Sequence, residues 1–440
     1  MNSQPDRQLW LPLVVKGELG TCDLSAENPT ETWGLMEWMV APGNLRAAYN
    51  RVMSNKGAPG IDGMTVEALA AYLRAEWPAI HERLLAGTYR PAAVRRHELP
   101  KPGGGIRVLG IPTVLDRFIQ QAMLQVLQPE WDPTFSDGSF GFRPGRSAHQ
   151  AVARAQAHYR AGSHWVVDLD LEKFFDRVNH DKLMALVEAR VQDWRVRRLI
   201  RRFLTAGMAC GDVYVPRSEG TPQGGPLSPL LANLLLDKLD RELEARGHRF
   251  VRYADDCNIH VGSRRAGVRV MNSISRFLTE RLKLKVNEAK SAVAQPHERS
   301  FLGFSIYWGG GVSVSVKARE RLKAKVRELT SRNRACSLRR IIGELAAYLN
   351  GWKAYFRIAT AKSPLRELSS WMLRKLRCYL WKQWGGRGYR ELRRRGVRRE
   401  LAWNTSKSAH GPWRLSRSPA LGIALPTRYF VGLGLPLLHV

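Results

Sequence analysis

The spacing of apolar residues along this chain alternates between a helical period and a strand period. Leu45, Tyr49 and Val52 stand at i, i+4 and i+7, a spacing that places them on one face of a helix. The same period predicts further helices over residues 66–85, 115–127, 183–204, 230–243, 266–284 and, in a basic stretch, 317–399. Residues 1–40 show little pattern, which predicts a loose N-terminal extension.

Strand patterns separate several of these helices. They predict a strand, a glycine-rich turn and a strand over residues 98–112, a hairpin over 250–261 with its tight turn at Asp255-Asp256, and two short strands around 301–316. Around residues 164–171 the side chains alternate, so that Val166, Asp168 and Asp170 face one way. Helices and strands mixed in this way predict an α+β fold with an antiparallel sheet.

The net charge of the chain indicates the kind of partner that it binds. The chain carries 70 Lys and Arg residues against 39 Asp and Glu, a net charge of +31, and a polyanionic partner is the simplest cause of such an excess, with a merely soluble basic protein as the alternative. Residues 317–440 hold 29 of the basic residues and only 6 acidic ones, so we expect this part to bind phosphates. The candidate contacts are Arg374, Lys375, Arg377, Arg393, Arg394 and Arg395. Aromatic residues among them can stack on bases or belong to the core.

Length and composition exclude several classes of protein. With 440 residues, 44% of them hydrophobic, the chain can form about two to four domains and is not typical of a disordered protein. Five scattered cysteines without a C-x-x-C pair argue against a disulfide framework and a zinc ribbon. Neither a signal-peptide pattern nor an apolar run of ~18 residues is present, so we expect a cytoplasmic protein with no membrane partner.

Two adjacent carboxylates at a hairpin turn, Asp255 and Asp256, are an unusual choice, because like charges repel. A bound divalent cation relieves that repulsion, and Mg²⁺ is usually held by carboxylates together with substrate phosphates. Asp170 can supply a third ligand if its strand lies beside the hairpin. Two ions ~3.5–4 Å apart would then serve an in-line phosphoryl displacement. The alternative is that the Asp-Asp pair only caps a solvated turn.

The order of the motifs resembles that of reverse transcriptases. The segment "VDLDLEKFFD" comes first, "TPQGGPLSPLLANLLL" follows, and "YADD" comes third. The resemblance implies that Asp170, Asp255 and Asp256 are the catalytic carboxylates and, together with Leu171, the metal ligands. The implied cofactor is Mg²⁺, as two ions, with Mn²⁺ as an alternative. Asp168 does not match the family's ligand position, and we expect it to be a neighbour.

The resemblance also implies a set of nucleotide contacts. Lys101 and Arg107, which flank a glycine-rich turn, match the triphosphate contacts of the fingers. Phe175 matches an aromatic residue that packs under the sugar and excludes a 2′-hydroxyl group. The other implied contacts are Phe142, Arg143, Gln223, Gly224 and Lys290. The residues alone leave an alternative open in each case. Lys101 and Arg107 equally fit a solvated hairpin tip. Phe175 would be a core residue, and Lys290 would be an ordinary surface lysine.

Further segments are similar to the reverse transcriptase/maturases encoded by bacterial group II introns. They are "NLRAAYNRVMSNKGAPGIDGMT", "LPKPGGGIRVLGIP", "SFGFRPGRSAHQAV" and "YLNGWKAYFR". The implied fold is a right-hand polymerase with fingers at 41–163, a palm at 164–316, a helical thumb or maturase domain at 317–400, and a C-terminal segment, a possible remnant of a DNA-binding region, at 401–440. No Cys-pair or His-Asn-His pattern of the family's endonuclease domain follows.

The activity implied by the resemblance is RNA-templated DNA synthesis, combined with binding of intron RNA to promote splicing and retrohoming. The implied partners are an RNA template and primer, intron RNA, target DNA and dNTPs. Two alternatives remain open. One is a free-standing enzyme of this type in DNA repair or phage defence, and the other is a splicing factor that acts only by binding RNA. The intact Asp170, Asp255 and Asp256 argue against the second, and the sequence does not indicate an oligomeric state.

Overall fold

The computed structural model of the chain describes residues 34–100, 104–210, 213–331, 334 and 336–439. Most of the predicted N-terminal extension therefore lies outside the described residues. The chain divides into two compact units, which are Met1–Ala151 with Val167–Val293, and Val152–Val166 with Ala294–Val440. The finer division into fingers, palm, thumb and C-terminal segment stays a prediction. Within the described residues, no helix has the length and apolar character needed to cross a membrane.

Most of the helices before residue 293 follow the predicted periods, but a helix at Leu35–Val40, within the predicted loose extension, and one at Ala148–Arg160 were not predicted. In chain order they are α1 (Leu35–Val40), α2 (Pro42–Asn55), α3 (Leu69–Leu85), α4 (Val114–Trp131), α5 (Ala148–Arg160), α6 (His180–Glu188), α7 (Trp194–Thr205), α8 (Ser228–Ala245) and α9 (Arg264–Phe277). In α2 the buried residues include Leu45, Tyr49 and Val52, so the predicted helical face is confirmed. One turn of π-helix, Leu278–Leu282, continues α9.

One predicted helix is in fact two. The apolar period over residues 183–204 predicts a single helix, but α6 ends at Glu188 and α7 begins at Trp194. The side chain of Asp193 accepts a hydrogen bond from the N–H of Arg195 at 2.9 Å and thereby caps the new helix start. The same carboxylate accepts from the N–H of Met36 at 3.1 Å. The break is therefore fixed by a long-range contact that periodicity does not contain.

The strands up to residue 294 form two four-stranded sheets. In chain order the strands are β1 (Val94–Pro100), β2 (Ile106–Ile111), β3 (Trp165–Leu169), β4 (Met208–Cys210), β5 (Val213–Val215), β6 (Arg249–Tyr253), β7 (Asp256–Val261) and β8 (Ala292–Ala294). The sheet orders are β2-β1-β4-β5 and β6-β7-β3-β8. Antiparallel β1 and β2 confirm the predicted strand–turn–strand. β4, β5 and β8 were not predicted, because each has only three residues.

The hairpin of β6 and β7 is confirmed, but its turn lies one residue earlier than predicted. Tyr253 pairs with Asp256 across the two strands, so the turn consists of Ala254 and Asp255, and Asp256 is the first residue of β7. Ala254 has a φ of 57°, in the left-handed region that residues with a Cβ seldom adopt. The two carboxylates therefore leave the backbone from different elements, one from the turn and one from the strand.

After residue 303 the second unit consists of a short hairpin followed by helices. The elements are β9 (Phe304–Tyr307), β10 (Gly311–Val314), α10 (Val316–Leu329), α11 (Leu338–Phe356), α12 (Ser363–Trp384), α13 (Gly388–Arg394), α14 (Arg399–Ser406), α15 (Pro412–Leu415), α16 (Pro419–Ala424) and α17 (Thr427–Gly432). They confirm the two predicted strands and the helical pattern from 317 to 399. Several aromatic residues of this unit are core, since Tyr379 and Trp384 are both buried. For those rings the core alternative is the right one.

Candidate active site

The carboxylates predicted to act together do come from neighbouring strands. β3 and β7 are adjacent in their sheet, and Asp170 directly follows β3, while Asp255 directly precedes β7 and Asp256 is its first residue. Asn258 of β7 donates a hydrogen bond to Asp168 on β3 at 2.9 Å. The condition stated for Asp170, that its strand lie beside the hairpin, is therefore met.

The backbone of Asp170 is held by the segment that carries Lys290. Its N–H donates to Oγ of Ser291 at 3.0 Å, and its carbonyl accepts from the N–H of Asn287 at 2.8 Å. Between these two anchors, Nζ of Lys290 lies 3.3 Å from Oδ2 of Asp170. The short segment 287–291 thus fixes the direction of the Asp170 side chain and provides a cation beside it.

The electrostatics of the site favour a bound cation. Burial raises the pKa of Asp255, and the charge of Asp170 raises it further, while Arg107 and Lys290 act in the opposite direction. Desolvation, followed by the charges of Asp255, Asp168 and Asp170, raises the pKa of Asp256 to about 7. Solvent still reaches Asp256, so a soluble ion has access to these carboxylates.

The donor chemistry therefore fits a hard divalent cation, which prefers carboxylate oxygens. Within the described part of the chain, however, no group of three or more His, Cys, Asp or Glu side chains is already arranged to hold a metal ion. At Leu171, the remaining predicted ligand, the side chain is buried. Only its main-chain carbonyl can serve a metal. The backbone hydrogen bonds on either side of Leu171 are made by the carbonyl of Asp170 and the N–H of Glu172.

The loop of Gln223 and Gly224 lies against β2, the strand that carries Arg107. The N–H of Gly110 donates to the carbonyl of Gln223 at 3.1 Å. Gly224 has a φ of 145°, and a Cβ at this position would lie 2.7 Å from the carbonyl oxygen of Gly110. Glycine is therefore required here, because only glycine allows this approach of two backbones. Arg107 is exposed, and Lys101 lies outside the described residues.

Phe175 is brought to the same loop. It belongs to a short 3₁₀ turn, Phe174–Asp176, and its carbonyl accepts a hydrogen bond from the N–H of Thr221 at 2.6 Å. Its ring is half-buried and meets the buried ring of Phe174 edge-on, at 5.2 Å between centroids. The structure thus gathers Phe175 and Gln223, while contact of either with a nucleotide stays a prediction.

Phe142 and Arg143 differ sharply in exposure. Phe142 has a φ of 60° and is 48% exposed, so its ring is available to a ligand. The guanidinium of Arg143 is buried and bonds to Asp132, at 2.9 Å from Nε to Oδ1, and to the carbonyls of Ser136 and Ser139. Arg143 therefore holds the loop that presents Phe142, and its own contact with a nucleotide stays a prediction.

The predicted RNA contacts also divide into two groups. Arg374 stacks on Trp413 with its guanidinium carbon 3.7 Å from the ring centroid, Nζ of Lys375 lies 5.1 Å from the same centroid, and Arg377 donates to the carbonyl of Leu425 at 3.0 Å. These three cations join α12 to the C-terminal segment. Their role in RNA binding stays a prediction.

Arg395 also packs against aromatic rings of the protein, whereas Arg393 and Arg394 face solvent. Its guanidinium lies 5.2 Å from the ring of Trp384 and 4.8 Å from that of Tyr429. The Arg394 side chain is 70% exposed and pairs only with Glu391 of its own helix among the described residues. Arg393 is exposed and donates to the carbonyl of Val397 at 2.8 Å. Arg393 and Arg394 are therefore the better placed for phosphates.

Sequence reasoning missed a buried polar group behind the turn. Arg252 of β6 and Asp240 of α8 form an ion pair at 2.6 Å in which both side chains are 0% exposed. A charged residue inside the apolar strand "FVRY" and another in the apolar helix "LLLDKLD" are the signals that reveal such a pair, since charged residues are almost never fully buried without a partner.

Two family profiles match the chain. Residues 99–306 match the profile "Reverse transcriptase (RNA-dependent DNA polymerase)". Residues 319–399 match the profile "Group II intron, maturase-specific domain". The first match contains every predicted catalytic and nucleotide-binding residue, and the second contains the predicted RNA contacts.

Similar curated proteins share the same region. Protein YkfC of Escherichia coli (strain K12) is 38% identical over 218 residues, which cover 48% of this chain and 57% of that protein. The group II intron-encoded protein LtrA of Lactococcus lactis subsp. cremoris is 36% identical over 219 residues, which cover 49% of this chain and 36% of that protein. The chain thus spans from about a third to just over half of the length of these relatives.

Solved structures with low similarity include telomerase from Candida Tropicalis with a TWJ fragment of telomeric RNA. It is 12% identical, covers 82% of this chain and 64% of its own, and has a TM-score of 0.43. A chain of a partial Cas6-RT-Cas1--Cas2 complex is 26% identical, with coverage of 56% and 42% and a TM-score of 0.37.

Proposed function

Because this chain belongs to the family of group II intron-encoded reverse transcriptase/maturases, we propose that it is an RNA-directed DNA polymerase. The 3′-hydroxyl oxygen of a primer bonds to the α-phosphorus of a dNTP that is paired with an RNA template. The bond from that phosphorus to the bridging oxygen breaks, pyrophosphate leaves, and the hydroxyl proton passes to solvent. The observation that carries this proposal is the placement of Asp170, which follows β3, beside the hairpin that carries Asp255 and Asp256.

These three carboxylates are the proposed ligands of Mg²⁺ or Mn²⁺. When bound, such ions supply positive charge to the reacting phosphate oxygens. The pKa of Asp256 is raised by desolvation and then by the neighbouring carboxylates, and this supports the assignment, because a bound cation stabilises the ionised carboxylate against both effects. Lys290, at 3.3 Å from Asp170, is a cation on the same side of the site and can neutralise a leaving pyrophosphate.

Substitution of Asp255 tests the polymerase proposal. Asp255→Asn keeps the size of the side chain and removes one negative charge, so we expect the rate of primer extension to fall by roughly 10³-fold. The affinity for an RNA template with an annealed DNA primer should stay unchanged. Asp181→Asn is the matched control, since Asp181 is 81% exposed and pairs only with Arg201 among the described residues. Near-normal cDNA synthesis by Asp255→Asn would contradict the assignment.

A second proposed function is that of a maturase, which binds intron RNA to promote splicing and acts on target DNA in retrohoming. The match of residues 319–399 to the maturase-specific domain supports it, as does the excess of basic residues after 317. We expect the protein to act in the cytoplasm and to stimulate there the splicing of the intron that surrounds its gene. Asp255→Asn should retain this stimulation, because splicing does not use the polymerase carboxylates. A protein that extends primers but stimulates no splicing would instead favour repair or phage defence.

A further inference from the structure

Arg252 uses every hydrogen-bond donor that its side chain possesses. A guanidinium has five N–H groups. Nε donates to Asp240 at 2.8 Å, Nη1 donates to Asn233 at 3.0 Å and to the carbonyl of Ala254 at 2.9 Å, and Nη2 donates to Ser139 at 2.8 Å and to Asp240 at 2.6 Å. A lysine, with three donors on a single atom, cannot reproduce this planar arrangement.

One of these bonds reaches the turn that carries the catalytic carboxylate. The carbonyl of Ala254 belongs to the peptide plane that ends in the N–H of Asp255, so its direction sets the backbone of Asp255. Ala254 holds a φ of 57°, a left-handed conformation that is unfavourable for an L-residue. The hydrogen bond from Arg252 is made to the carbonyl of this strained residue and therefore stabilises the strained form.

The other partners of Arg252 tie the same turn to the loop 138–141. The backbone of Arg252 bonds to Gly138 and Phe140, at 2.8 and 2.9 Å. Asn233, which accepts from Arg252, also donates to the carbonyl of Gly141 at 2.9 Å. The turn is thus enclosed by one continuous network in which each buried polar group has a partner.

We propose that the Arg252–Asp240 pair positions the catalytic turn, by holding the Ala254–Asp255 peptide plane in the orientation that polymerisation requires. The pair does not touch substrate, and Arg252 and Asp240 are positioning residues. A buried ion pair is a poor device for stability, because hydrophobic residues of similar volume often stabilise a protein as well or better. The hydrogen bonds of this pair do fix the orientation of the Ala254 carbonyl, which an apolar side chain cannot do. The inference rests on the proposed polymerase function of Asp255.

The test compares two variants of the pair with a matched core variant. Arg252→Lys and Asp240→Asn alter the network but leave Asp255 itself unchanged. Leu239→Ala is the control, because Leu239 neighbours Asp240 on α8, is 1% exposed and takes no part in the network. Three quantities are measured on the full chain: the melting temperature, the rate of single-nucleotide incorporation at saturating dNTP, and hydrogen–deuterium exchange of the peptide 253–258 without metal.

We expect both variants of the pair to lose about 10²-fold in incorporation rate, the loss that a misplacement of ~1 Å can cause. Exchange at the turn should become faster in both, while Leu239→Ala should lower the melting temperature and leave rate and turn exchange as in the parent. A rate loss in Leu239→Ala as large as in the pair variants, or parent-like turn exchange in the pair variants, would overturn the proposal.

A rescue variant keeps the test decisive if Arg252→Lys fails to fold. Glycine adopts a positive φ without a Cβ penalty, so Ala254→Gly in the Asp240→Asn background should recover about tenfold of the lost rate. Absence of any recovery would contradict a role in holding this conformation. The exchange measurement also separates the two proposals, because it reports on the turn even if the parent protein fails to extend a primer.

Discussion

Gly141 offers a direct test of how tightly the catalytic turn is enclosed. A Cβ at this position would lie 2.2 Å from the nitrogen of Ala254 and 2.9 Å from the carbonyl carbon of Tyr253. Both atoms are backbone, so neither can rotate away. Gly141 does not have a positive φ, and alanine therefore fits the backbone conformation of the site. Gly141→Ala thus introduces one methyl group directly against the turn and no other strain.

The size of the effect follows from that distance. Van der Waals contacts between heavy atoms begin near ~3.4 Å, so the two backbones must separate by about 1 Å or more. Overpacking of this kind costs about 1–3 kcal/mol of unfolding free energy, which a domain with a typical stability of about 5–15 kcal/mol survives. A displacement of about 1 Å at a reacting group can lower a rate by about 10²-fold. Activity should therefore fall far more than the folded fraction.

The assay is single-nucleotide incorporation at saturating dNTP, measured beside thermal unfolding of the same preparation. Gly262→Ala is the matched control, because Gly262 follows β7 directly and a Cβ there would meet nothing within 4 Å. We expect the control to match the parent in both measurements. A Gly141→Ala variant that incorporates nucleotides at the parental rate would refute the reasoning, since the turn would then tolerate a displacement of its backbone.

Three further predictions concern other parts of the chain. Phe175→Ala should raise the use of rNTPs relative to dNTPs in a single-nucleotide assay, and unchanged discrimination would make Phe175 a core residue. Replacing Arg393 and Arg394 with Gln should lower intron-RNA affinity and reduce the slope of log K against log salt by about 2. Arg395→Gln should mainly lower the melting temperature, because its guanidinium packs on Trp384 and Tyr429; equal salt slopes in all variants would contradict this division. Burial raises the pKa of Asp116 to about 6, above its unfolded value, so the folded state holds its proton longer and stability should fall as pH rises from about 4 to 6. Asp116→Asn should flatten that dependence in melting curves, and an unchanged curve would exclude Asp116 as its source.

Much of the fold was predictable because its period is local. The helical face of α2 and the β1–β2 hairpin follow from the local sequence pattern alone. Apolar periodicity did not predict the break at Asp193, since the break depends on a polar cap to Arg195 and on a contact with Met36, far away in sequence. The turn was misplaced by one residue for a similar reason. Adjacent aspartates suggest a turn centred on themselves, but strand pairing extends as far as Asp256.

The candidate site shows the same limit at the level of side chains. Motif order led to the proposal of Asp170 and Asp255 as catalytic carboxylates, because the chemistry requires carboxylates at fixed places along the chain. It did not identify Asn287 and Ser291, which hold the Asp170 backbone by hydrogen bonds. Such supporting residues are polar and common, and nothing in their local sequence distinguishes them from surface residues. Their role is visible only once the strands that they join are placed side by side.

The contacts of individual arginines show why net charge alone overstates the surface that is proposed to bind RNA. Arg252 and Arg143 are buried, and protein acceptors satisfy them, while Arg374 stacks on Trp413 within its own unit. Each contributes one unit to the net charge of +31, but a guanidinium fixed in this way is not displaced by a phosphate without breaking its contacts. The cations that can exchange water for phosphate are the exposed ones, such as Arg394. Exposure, rather than the count of basic residues, therefore decides which arginines contribute to the salt dependence of RNA binding.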